Sequence, residues 1–176
     1  MFDLNLIDAR LREHQRALVC IDGPAGAGKT TLAEQLLAIR ANAVVIHMDD
    51  LYDGWINALD EKLTARLVTQ IRDPFVAGHP IEYQRYDWYA GTFAEQVSLP
   101  VVDLLIVEGV ASAQRAMRAA ATLSIFIDVD PVVGRQRVVE RDGNASAEYI
   151  DGWQAQERAH FDADRTKESV TLTLQS

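Results

Sequence analysis

Cysteine occurs once, at Cys20, so an intrachain disulfide and a cysteine-based zinc site are both excluded. Its place inside an apolar run gives it the character of a small buried hydrophobe. Histidine occurs four times, and without metal-ligand spacing: His79 and His160 stand apart, and His47 ends an apolar run, where it packs or caps. No stretch of uncharged apolar residues reaches the length of a membrane span, so no transmembrane helix is expected. Asp3, Asp8 and Arg10 near the start do not fit a secretory leader, and the expected setting is the cytoplasm. Basic residues are outnumbered, with 17 Lys and Arg against 26 Asp and Glu for a net charge of −9. A general nucleic-acid binder shows a basic face, so nucleic acid is not an expected partner. The balance says nothing against a small anionic ligand, which a few amides, a lysine and a metal hold locally. There is no internal repeat, no low-complexity tract, and no Ser–His–Asp or paired-carboxylate hydrolase pattern.

What is present suits one α/β domain. The chain has 176 residues, 48% hydrophobic and 24% charged, enough to bury a sizeable core. Residues 3–14 repeat Leu4, Ile7 and Leu11 at helical spacing. Apolar, β-branched runs at Ala17–Ile21, Ala43–Ile46, Leu104–Val107 and Leu123–Asp128 suit strands buried on both faces. Val170–Leu174 alternates and suits a last strand. Between them lie helical patterns: Leu32, Leu36 and Leu37; then Leu59–Ile71, which Asp73-Pro74 bends or ends; then a helix capped by Ser112. Another starts at Asp130-Pro131, with proline at its first position, and the last covers Ala147–Phe161. Alternating strands and helices predict a three-layer α/β fold around a five-stranded, mostly parallel sheet. Residues 77–92 are polar and aromatic, with turn signals. They predict a substrate-facing flap that extends to about residue 100 and includes a short hairpin over Phe93–Leu99.

Between the first strand and the next helix runs G-P-A-G-A-G-K-T. It fits G-x-x-x-x-G-K-[ST] at Gly23, Gly28, Lys29 and Thr30, in the strand–loop–helix setting that the pattern requires. Glycines let the backbone turn its amides inward as an anion nest, and the helix opening at Lys29 adds its positive end. Gly23, Pro24, Ala25, Gly26, Ala27, Gly28, Lys29, Thr30 and Thr31 are therefore expected to hold a nucleotide triphosphate, ATP. Lys29 reaches the outer phosphates and the Thr30 hydroxyl binds Mg²⁺.

In a parallel sheet, ligands sit at the carboxyl ends of strands. Asp49 lies just past the second strand and Glu108 just past the third, so both are expected near the metal, with Asp49 the better base. Arg137 and Arg141 share a helix face and can neutralise charge on a transferred phosphoryl group, while Arg135 sits aside. Tyr52, Tyr83, Tyr86, Asp87 and Trp88 are candidates to stack on and hydrogen-bond an acceptor.

Five segments in order carry a resemblance: G-P-A-G-A-G-K-T-T, H-M-D-D-L-Y, G-H-P-I-E-Y-Q-R-Y-D-W, L-L-I-V-E-G-V, and F-I-D-V-D-P followed by R-x-R-V-V-E-R-D. Over about residues 17–165 the chain resembles the uridine kinase-like P-loop kinases, a group that includes nicotinamide riboside kinase, pantothenate kinase and phosphoribulokinase. The resemblance implies ATP and Mg²⁺ at Lys29 and Thr30, a catalytic base at Asp49 and an acceptor-pocket aromatic at Tyr52. It further implies a Y-D-F-type segment at Tyr86-Asp87, a metal-side glutamate at Glu108, and lid-side arginines at Arg137 and Arg141, with a short lid over about 141–149. The chain departs from uridine kinases at D-G-W-I-N-A-L-D, which lacks their F-D-H-P-D-A-F-type stretch. It departs again after Trp88, where their histidine and arginine are missing.

The expected activity is ATP-dependent phosphorylation of a hydroxyl on a small metabolite, with nucleosides among the candidates. The partners expected are ATP and that acceptor, without nucleic acid or membrane, and a homo-oligomer is left open. The competing expectations are a nucleoside monophosphate kinase, whose acceptor pocket would carry several arginines, and a non-catalytic nucleotide-binding module. A GTPase switch lacks support, because no D-x-x-G follows the third strand and no N-K-x-D-like reader is present.

Overall fold

A computed structural model describes residues 4–38 and 40–176, without the side chains of 144–147. Asp3 of the first expected helix and Ile39 lie outside the described residues, as do the side chains of 144–147 in the middle of the expected lid. In chain order the elements are α1 (Leu4–Arg12), β1 (Ala17–Asp22), α2 (Lys29–Leu37), β2 (Ala43–His47), α3 (Glu61–Arg66), α4 (Asp73–Ala77), β3 (Ile81–Asp87) and β4 (Thr92–Leu99). They continue with β5 (Leu104–Glu108), α5 (Arg115–Arg118), β6 (Leu123–Asp128), α6 (Pro131–Asp142), α7 (Asn144–Asp164), α8 (Thr166–Ser169) and β7 (Leu172–Gln175).

Five strands form one parallel sheet in the order β2-β5-β1-β6-β7. The central strands β1 and β5 are buried along their whole length, which is why they read as unbroken apolar runs rather than alternating ones. Alternation survives in where the side chains go. Leu18 and Cys20 of β1, with Leu105 and Val107 of β5, join one core; Ala17, Val19 and Ile21, with Leu104 and Ile106, join the other. The first core takes in Leu63, Leu67, Ile71 and Phe75, the hairpin residues Ile81 and Tyr83, and Ile150 and Trp153 of α7. The second takes in Ile7 and Leu11 of α1 and Leu32 and Leu36 of α2.

Three local expectations are corrected. Of the two readings of Asp73-Pro74, a bend or an end, the end is corrected: the helix starting near residue 60 runs on past it. A π turn over Leu67–Arg72 joins α3 to α4, which carries the proline in its first turn, and the helix ends at Gly78 with φ +75°. Ser112 does not cap a helix; its buried hydroxyl donates to the Ile21 carbonyl oxygen at 2.8 Å, and the helix that follows has only four residues. The hairpin of the aromatic segment is not confined to Phe93–Leu99. Its first half is β3, paired antiparallel with β4, with Ile81 and Tyr83 turned inward and Glu82 and Gln84 outward.

Candidate active site

The loop after β1 is shaped by close backbone approach. Gly23 has φ +133°, and a Cβ there would lie 2.2 Å from the Ile127 carbonyl oxygen. Gly26 has φ +78°, and a Cβ there would lie 2.3 Å from the Gly134 carbonyl oxygen of α6. Neither position has room for a side chain, so the motif glycines are dictated by the neighbouring strand and helix as well as by a ligand. Beneath the loop, Asp22 has no exposed surface and accepts from the amides of Gly23, Ala111 and Ala113 at 2.7, 2.9 and 2.8 Å.

The loop opens into a cavity of about 740 Å³. At one end stand Lys29 and Thr30. Lys29 is nearly buried, and its Nζ donates to the carbonyls of Gly23 and Pro24, each at 2.8 Å. Burial lowers its pKa, while the charges of Glu108, Glu157, Asp22 and Asp49 hold it up. The Thr30 hydroxyl donates to Glu108 Oε1 at 3.1 Å, and the same oxygen lies 2.6 Å from His47 Nδ1. That contact raises the His47 pKa. Asp49 opens onto the cavity, yet the surrounding walls desolvate its carboxyl. With the Glu108 charge nearby, its pKa rises, and Lys29, Arg141 and His47 pull it partly back.

The opposite wall is aromatic. All three tryptophans of the chain meet there: the Trp55 ring centroid lies 5.1 Å from Trp88 and 5.7 Å from Trp153. Tyr52 meets Trp153 edge-on at 4.9 Å, with its hydroxyl donating to the Val110 carbonyl at 2.8 Å. The Trp88 indole donates to the Asp49 carbonyl at 3.0 Å, so Asp49 touches the aromatic wall through its backbone.

The expected site residues divide accordingly. Ala25, Gly26, Gly28, Lys29, Thr30, Thr31, Asp49, Tyr52, Trp88, Glu108, Arg137 and Arg141 all border the one cavity. Gly23, Pro24 and Ala27 shape the loop from behind without bordering it. Three expected acceptor contacts are not brought to the cavity, for physical reasons. The Tyr83 hydroxyl donates to Asp50 Oδ2 at 3.0 Å, fastening the hairpin to the turn after β2. Tyr86 is buried against Trp88 and Phe93. Asp87 caps the hairpin turn, accepting from the amides of Tyr89 and Ala90 at 2.9 and 3.0 Å. Arg137 reaches the loop itself, donating to the Gly26 carbonyl at 3.1 Å, whereas Arg141 pairs with Asp142. Arg135 pairs with Asp151 on the surface.

Sequence reasoning missed Trp55, Ile150 and Trp153 on the cavity wall, and Glu157, which accepts from the Ala25 amide. The spacing of Ile150, Trp153 and Glu157 on one face of α7 was the available signal.

The donor set can be tested for Mg²⁺. Among the described residues no group of three or more His, Cys, Asp or Glu side chains is placed to hold an ion. Thr30 and Glu108 do offer adjacent hard oxygens at the cavity. Mg²⁺ typically takes one or two protein oxygens and completes its shell with phosphate and water, so the pair fits an ion that arrives with a nucleotide.

No family model matches the chain. Uridine-cytidine kinase C of Dictyostelium discoideum is 24% identical over 118 residues, or 62% of this chain. The chain spans only 26% of that relative's length. A possible uridine kinase from Bacillus stearothermophilus superposes with a TM-score of 0.66 at 20% identity, covering 96% of this chain and 99% of the other. A candidate fructose transport system kinase from Silicibacter sp. TM1040 gives 0.65 at 20% identity, covering 98% and 99%. The chain therefore has the α/β fold of the P-loop kinases, a five-stranded parallel sheet flanked by helices.

Proposed function

We propose that the chain is an ATP-dependent phosphotransferase that moves the γ-phosphoryl group to a hydroxyl of a small metabolite, nucleosides being one candidate class. One observation carries this: a single cavity has a phosphate-type loop at one end and an aromatic wall at the other, and Asp49 borders both. The expectation that the whole chain acts as one kinase unit, with a lid near residues 141–149, belongs to the same proposal.

Phosphoryl transfer asks little covalent chemistry of a protein and much positioning. Lys29, freed from the Gly23 and Pro24 carbonyls, and Arg137 and Arg141 supply positive charge where phosphate charge develops. Thr30 and Glu108 hold Mg²⁺, which when bound offsets the charge of the phosphates. Asp49 takes the proton of the acceptor hydroxyl. Its raised pKa brings it nearer to neutrality, where a general base works best, and Lys29 keeps the ionised form accessible. Tyr52, Trp55, Trp88 and Trp153 hold the flat or apolar part of the acceptor.

The test is an ADP-release screen with ATP and Mg²⁺ over nucleosides, ribosides, sugars, pantothenate and nucleoside monophosphates. Release with a hydroxyl acceptor is the expected result. Consumption of nucleoside monophosphates alone overturns the hydroxyl-acceptor assignment.

A further inference from the structure

The loop after β1 is already held by a carboxyl group of the protein itself, one whose pKa burial raises while the Ala25 amide and the Lys29 charge favour its ionised form. Glu157 Oε2 accepts from the Ala25 amide at 3.0 Å. The residue is only 2% exposed, and its charge acts on Lys29. Ala25 is one of the residues that border the cavity, in a loop of the shape that turns N–H groups toward phosphate. Trp153 stands one turn earlier on the same face of α7 and borders the cavity. One helix face thus touches both ends of the cavity, with Ile150 and Trp153 on the aromatic wall and Glu157 on the loop.

We propose that Glu157 is a positioning residue that competes with bound phosphate for the Ala25 amide, holding the nucleotide-free loop in shape and weakening its grip on a polyphosphate. The inference rests on the ATP-binding function proposed above. A polyphosphate arriving at the loop meets a like charge in a desolvated place, where repulsion is strong. It binds only as the carboxylate gives up the amide.

Glu157→Gln keeps an oxygen for the Ala25 amide and removes the charge; Glu157→Ala removes both. Calorimetric titration of the full chain with ATP, and separately with tripolyphosphate, reads the effect. Both variants are expected to bind both probes more tightly, by roughly tenfold, the size of one partly buried charge–charge interaction. Unchanged or weaker binding by Glu157→Gln, at an unaltered melting temperature, overturns the inference and leaves the kinase assignment standing. Failure of the unsubstituted chain to bind either probe removes the kinase assignment and this inference with it. If Glu157→Ala does not fold, Glu157→Gln alone decides.

Discussion

Asp22 shows how much of the site depends on single buried groups. Its carboxylate gathers the amides of Gly23, Ala111 and Ala113, so it joins the loop after β1 to the turn after β5, which follows Glu108. Asp22→Ala leaves three buried donors unpaired. We expect a loss of about 3 kcal/mol, or a melting temperature lower by roughly 10 °C, measured by calorimetry. Burial pushes the Asp22 pKa up to about 7, against the pull of those amides and of Lys29. A folded pKa above the unfolded one means that the group stabilises most at low pH and that this part is lost as pH rises from about 4 to about 7. The gap between the unsubstituted chain and Asp22→Ala should therefore narrow over that range in denaturant titrations, and a widening gap would contradict the assignment. Lys29, Thr30, Asp49 and Glu108 were legible in the sequence because a fixed spacing or a strand end locates them. Glu157 and Trp153 were not. Their spacing marks a shared face of α7, but Glu157 meets the loop 132 residues away, and that spacing does not say which distant segment the face meets.

At the scale of elements, the sequence revealed the strands and concealed the helix joints. An apolar run buried on both faces is unmistakable, and all five sheet strands were expected close to where they lie. Asp73-Pro74 reads as a bend or an end of the helix, and a π turn just before it carries the helix on to Ala77. The hairpin was blurred for a related reason. Its outer face carries Glu82, Gln84 and Arg85, so only Ile81, Tyr83 and Tyr86 mark it as a strand. The contact of α6 with the phosphate loop is a second feature that spacing does not encode. A Cβ on Gly134 would stand 2.6 Å from the Ala25 carbonyl oxygen, and that atom cannot yield without moving the loop. Gly134→Ala is expected to cost about 1–3 kcal/mol and to weaken ATP binding at the same time. Titration calorimetry with ATP checks this, and full affinity in a destabilised variant would show that α6 does not set the loop.

For the molecule as a whole, the parallel sheet gathers residues from distant parts of the chain at the carboxyl ends of β1, β2 and β5. There the loop, Asp49 and Glu108 meet. The two ends of the cavity are built from different elements, which makes them separable by experiment. Trp55→Ala removes the ring on which Trp88, Tyr149 and Trp153 converge. It should raise the KM for the acceptor tenfold or more, on the order of a lost aromatic contact, while leaving ATP affinity within about twofold. An equal loss for both substrates would contradict the division. No helix among the described residues is long and apolar enough to cross a membrane.

Asp49 stands where the two ends meet, and in the proposed reaction its carboxylate is the group on which transfer to a hydroxyl depends. The direct measurement is phosphomonoester formation from ATP, followed by ³¹P NMR with an acceptor found in the metabolite screen, for the unsubstituted chain and for Asp49→Asn. The predicted result is one phosphomonoester per ADP in the first, and a kcat lower by about 10²–10⁴-fold with ATP affinity retained in the second. Full turnover by Asp49→Asn would contradict the account.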